Sequence, residues 1–291
     1  TGVYNTIIGG LAGNSLTEGA NNVAIGLNSL TTDTLGKKST AVGYQTLATQ
    51  NFSSATDTHN TAVGFEAGKL ITTGVQNVLI GSRTGDALTD ADFNVAVGQF
   101  ALSSDTQGSR SVAIGEQALS AQNFSSATNA DNTAVGFKAG LAVTTGQFNT
   151  FTGVTAGQAF TDADYNTAIG QQALLSDTKG SRSTAVGAGA LATQNFTSAT
   201  NTDNTAVGYG AGTAVTTGTH NTLIGADAGD ALTTGTYNTA LGQGALSSDD
   251  VGNTTTAIGF NALNNQNFSS STSSYNTGVG YNALFNLTTA Q

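Results

Sequence analysis

The chain contains no cysteine, proline, methionine or tryptophan, and only 9% of its 291 residues are charged. Without cysteine there can be no disulfide framework, thiolate zinc site, iron–sulfur cluster or cysteine nucleophile. His59 and His220 are the two histidines, too few and too far apart in sequence for a histidine metal cluster. Eight basic residues against eighteen acidic ones leave a net charge of −10, which argues against a nucleic acid partner or any phosphate-binding surface. No apolar run approaches the roughly 18 residues of a membrane span. Sparse charge and missing proline also set the chain apart from disordered segments, which are usually rich in both. It opens on Thr1 without a signal peptide or initiator Met, so the expectation is a processed or excised piece of a longer fibre protein.

What is present is a repeat. Sixteen segments of the type Asn5-Thr6-Ile7-Ile8-Gly9 close on Gly9, Gly26, Gly43, Gly64, Gly81, Gly98, Gly115, Gly136, Gly153, Gly170, Gly187, Gly208, Gly225, Gly242, Gly259 and Gly280. Their spacing runs 17, 17, 21, 17 and then starts again, so the pattern recurs every four units, as from Gly9 to Gly81. A fixed period of this kind signals a solenoid, whose single units cannot bury their own apolar side.

The residue before each key glycine is Val or Ile in fourteen units, and the one two places earlier is Thr or Val in all sixteen. Period-2 alternation puts these two β-branched columns on one strand face, which is expected to point inward. Between them lies Ala in eleven units, and four places before the glycine stands Asn in twelve. Stacked Asn side chains are expected to bond up and down the array. The glycine is expected to mark a corner, through a positive φ or a forbidden Cβ. Frequent glycine and β-branched columns oppose helix. The fold class is therefore all-β: a parallel β-solenoid (β-roll or β-helix) over 1–291, one continuous rod of sixteen coils. At ~4.8 Å per rung its length is roughly 75–80 Å.

The run Asn-Thr-Ala-Val-Gly-x-x-Ala-Leu/Gly, with Thr-Thr-Gly before the next Asn-Thr, resembles the short repeats of bacterial and phage tail-fibre-like proteins. Asn22-Val23-Ala24-Ile25-Gly26 and Ser111-Val112-Ala113-Ile114-Gly115 are similar to the head repeat of trimeric autotransporter adhesins. The resemblance extends over all sixteen units and implies a parallel homotrimeric shaft, extracellular, on a cell surface or on a virion.

Candidate chemistry is thin. An insertion in every fourth unit recurs as Gln-Asn-Phe at Phe52, Phe124, Phe196 and Phe268, giving either a row of contact loops or, preferred here, rings folded back over a coil corner. At the same period the Ala column becomes large at Ile7, Leu79, Phe151 and Leu223, packing beside the longer loop or marking a subunit contact. Asp90, Asp92 and Asn94, and again Asp162, Asp164 and Asn166, have Asp-x-Asp-x-Asn spacing. That spacing supplies oxygen ligands for Ca²⁺, although ordinary turn formation is the preferred reading, and no other cofactor is expected. Asp33, Asp105, Asp177 and Asp249 form a column of the same four-unit period, expected on a solvated rim with weak ion pairs to Arg110 and Arg182. His59 and His220 are expected in exposed turns.

No catalytic residue is expected, and the functional expectation is a non-enzymatic shaft segment of an adhesive fibre. Its partners would be copies of itself and a cell-surface receptor or glycan. A self-assembling filament or surface layer is the main alternative. A polysaccharide-cleaving β-helix would need clustered acids and bases on adjacent rungs. An ice-binding solenoid would need an outward Thr array, whereas the Thr column (Thr40, Thr61, Thr133, Thr150, Thr167, Thr184) shares the face expected to point inward.

Overall fold

A computed structural model describes residues 2–289. Every regular element among them is a β-strand, and each strand pairing is parallel and in register. The chain is a parallel β-solenoid in two compact units, 1–147 and 148–291. Each unit holds eight coils, and each coil contributes one short strand to the main sheet. The first unit stacks its rungs from Thr6–Ile8 to Thr133–Val135, and the second from Thr150–Thr152 to Thr277–Val279. Register follows the repeat: Thr61 faces Val78, Ala62 faces Leu79 and Val63 faces Ile80. A second short strand is confined to two coils in each group of four, where Gly108–Ser109 pairs with Thr128–Asn129 beside the insertion.

The inward face is the opposite of the one expected from the sequence. Ala62, Ala96, Ala113, Ala185 and Ala206 are fully buried, whereas the Thr/Val and Val/Ile columns beside them are half-buried or exposed. The reason is volume. So short a coil encloses little space, and the interior takes one small residue from the strand and one larger one from the corner. The β-branched columns are left on the outer surface of the sheet.

The corner residue alternates with the strand residue. Where Leu102, Leu119, Leu174 or Leu191 points inward, the strand supplies Ala. At Gly85, Gly157 and Gly229 glycine replaces that leucine and the same coil's strand supplies Leu79, Phe151 or Leu223, whereas at Gly68 and Gly212 the strand keeps Ala62 or Ala206 and the space is taken by Leu79 or Leu223 of the next coil. A Cβ on Gly85 would meet Leu79 Cδ2 and Leu88 Cδ1, each at 2.9 Å. Phe151 is fully buried against Phe160, their ring centroids 5.6 Å apart. Leu223 lies between Gly212 and Gly229. The large residues of the Ala column thus fill the core, except for Ile7 at 38% exposure, and mark neither a loop contact nor a subunit contact. Large against small across facing positions is how interiors reach close packing.

Candidate functional site

All sixteen corner glycines have φ between 129 and 141°, a region left to glycine. The second reason also holds: a Cβ on Gly98 would sit 2.6 Å from the carbonyl carbon of Gly115 on the next coil. These glycines are stacked backbone, with no side chain to offer a ligand.

The Asn column does form a ladder, although its bonds run mainly to backbone. Asn94 Oδ1 accepts from the Ser111 N–H at 2.8 Å, and Asn94 Nδ2 donates to Gly108 O at 2.9 Å. Asn166 repeats both bonds to Ser183 and Gly180. Each buried amide thus satisfies corner groups that would otherwise be costly to bury. These same two residues complete the Ca²⁺-type triplets, so the triplets do not converge. Asp92 Oδ1 instead accepts from the Val75 N–H, Asp90 from the Thr89 hydroxyl, and Asp162 faces Lys179 at 3.6 Å. Asp164 donates its backbone N–H to Ser181 Oγ. Among the described residues no three acidic or histidine side chains gather to hold a metal ion.

Asp33, Asp105, Asp177 and Asp249 are fully buried, not on a solvated rim. Gln122 Nε2 donates to Asp105 Oδ2 at 2.5 Å and to Ser111 Oγ at 3.0 Å, while Gln122 Oε1 accepts from Asn132 Nδ2 at 2.9 Å. Asp105 Oδ1 accepts from the backbone N–H of Gly108 and of Phe124. Ser111 stands where the ladder lacks an Asn, and the glutamine of the insertion bridges that break. Burial pushes the Asp249 carboxyl above its ordinary value, against hydrogen bonds from Gln266 and the Gly252 and Phe268 backbones.

The four insertion phenylalanines are folded in, at 5–7% exposure for Phe52, Phe124, Phe196 and Phe268. They close the corner over the Asp–Gln pair, so their rings offer no contact surface. His59 and His220 are exposed, as expected. His220 stacks on Tyr237 at 4.7 Å and lies 3.6 Å from Asp203.

The outer face of the main sheet is exposed in each unit. Ile8, Ile80 and Ile114 are exposed in the first unit, and Ile169, Leu241 and Val279 in the second. Beside this stripe stand stacked rings, Tyr44 on Phe65 at 5.2 Å and Phe260 on Tyr281 at 5.4 Å. No sequence signal separated this face from the interior one, because alternation alone is symmetric. The chain matches no family model, no curated protein and no solved structure.

Proposed function

We propose that the chain is a non-catalytic shaft segment of an extracellular, cell-surface or virion-borne adhesive fibre, assembled as a parallel homotrimer. The observation that carries this reading is the outward stripe: Ile80 and Ile114 are 40% and 38% exposed in registered columns of β-branched residues. Continuous apolar stripes of this kind are normally covered by a partner. Each copy offers its stripe to the other two around a common axis, and the resemblance of the repeat to trimeric fibre proteins supports that arrangement. Sedimentation equilibrium tests it, with a mass near three times 29.0 kDa expected. Ile80→Glu combined with Ile114→Glu should give a folded monomer. A stable wild-type monomer would sink the proposal.

A second reading has one observation in its favour. In the second unit the outward column is Thr at every rung from Thr150 to Thr277, a ladder of hydroxyl and methyl groups spaced ~4.8 Å apart. Such an array suits ice. The column was expected to point inward and does not. A monomer showing thermal hysteresis would replace the shaft reading; a trimer without hysteresis supports it.

A further inference from the structure

The second unit has a cleft of about 480 Å³ at one coil corner, with Tyr209 on its wall and Gln171, Gln172, Asp227 and Asp230 among its polar lining. The same corner occurs eight coils earlier, in the first unit, and there the chain fills it. Phe65 occupies the place of Tyr209, with Tyr44 stacked on one side at 5.2 Å and the Arg83 guanidinium over it at 5.9 Å. Glu66 holds Lys69 at 2.8 Å and Arg83 at 3.0 Å across the surface.

In the second unit each of these covering groups has been removed. Ala188 stands for Tyr44, Gly210 for Glu66, Thr213 for Lys69 and Asp227 for Arg83, while Gly189 replaces Gln45. Tyr209 is consequently 70% exposed, against 45% for Phe65. Folding does not require Gly189 to be so small. Gly189 has φ 70°, close to the conformation that Gln45 and Gln117 adopt in register, and a Cβ there would come no nearer than 4.0 Å to any neighbour, Thr213 Oγ1. The glycine leaves space that the fold could fill.

We propose that this cleft binds a short neutral glycan, with a sugar ring stacked on Tyr209 where the first unit places Tyr44. The exposed amides of Gln171 and Gln172 donate to and accept from sugar hydroxyls. The carboxylates of Asp227 and Asp230, which line the cleft, accept from them. Thr213 Oγ1 already donates to Gly210 O at 2.7 Å and shapes the wall. An aromatic platform with a few convergent polar groups, in a volume within roughly 300–1,000 Å³, is the usual form of a small-ligand site. The two carboxylates, in a chain of net charge −10, select against sialylated or sulfated sugars. The proposal does not depend on the trimeric shaft.

Saturation-transfer NMR and titration calorimetry on the full chain test it with maltotriose, cellotriose, triacetylchitotriose and 3′-sialyllactose. At least one neutral trisaccharide is expected to bind, and sialyllactose is not. Tyr209→Ala and Gly189→Gln, which fills the cleft with the residue found in register, should each weaken binding about tenfold or more with an unchanged circular dichroism spectrum. Tyr165→Ala, an exposed ring elsewhere, should leave it unaltered. Failure of all three neutral sugars, undiminished binding by both cleft variants, or a preference for sialyllactose overturns the proposal. So does binding of arginine amide without any sugar, which would make the cleft a cation site.

Discussion

Gln266 Nε2 lies 2.7 Å from Asp249 Oδ2, one coil apart in the buried interior, and its Oε1 accepts from Asn276 Nδ2 at 2.8 Å. The glutamine amide is thus used at both ends to join a carboxyl group to the Asn ladder. Gln50, Gln122 and Gln194 do the same with Asp33, Asp105 and Asp177. Each group of four coils therefore carries one polar layer, flanked by coils whose cores are apolar.

Asp249 makes stability depend on pH. Burial raises the Asp249 carboxyl above its ordinary value of 3.8, so the folded state holds this proton more tightly than the unfolded chain. The contribution is fully present below the ordinary carboxylate value and is lost as pH rises through the raised one. Asp86 and Asp230 are also raised, chiefly by burial. Thermal midpoints measured from the acid side upward should show a component that falls with rising pH, and Asp249→Asn should reduce it, leaving the part due to Asp86 and Asp230. An unaltered profile in the variant would contradict this assignment.

Corner glycines should divide sharply by the space around them. Gly98→Ala forces a side chain to φ 129° and places its Cβ 2.6 Å from Gly115, a combined cost of about 3 kcal/mol or more. Gly189→Ala meets nothing nearer than 4.0 Å and should cost only about 1 kcal/mol for its left-handed φ. Urea unfolding of the two variants gives the comparison.

Core filling by strand and corner predicts coupling. Leu79→Ala removes a fully buried side chain and should cost about 3 kcal/mol. Gly85→Ala alone should destabilise, because its Cβ meets Leu79 and Leu88 at 2.9 Å. Together they should cost less than the sum of the two, since Leu79→Ala vacates one of the atoms in the way. Additive unfolding midpoints would show that the two positions do not share a cavity.

The repeat made much of this fold legible. Invariant glycine at a regular spacing located the corner after each rung, and β-branched columns located every strand of the main sheet, though not the short second strands such as Gly108–Ser109. The polar layer was readable in principle, because Asp105 and Gln122, one coil apart, recur together in every group of four coils. It was missed because an acidic column ordinarily lies in water, and its burial depends on a glutamine contributed by the next coil.

By itself, the sequence determined the solenoid, its coil length, its corners and the absence of cysteine chemistry, since these follow from local backbone preference repeated sixteen times. Which strand face lies inside was decided only by the tertiary structure. Alternation distinguishes two faces without assigning either to the interior. Closure of the coil puts the Ala62 column inside, where Leu79, Phe151 and Leu223 also lie, and leaves Val63 half-buried on the outer face. The same closure leaves Ile80 facing outward and buries Asp249 and Phe268.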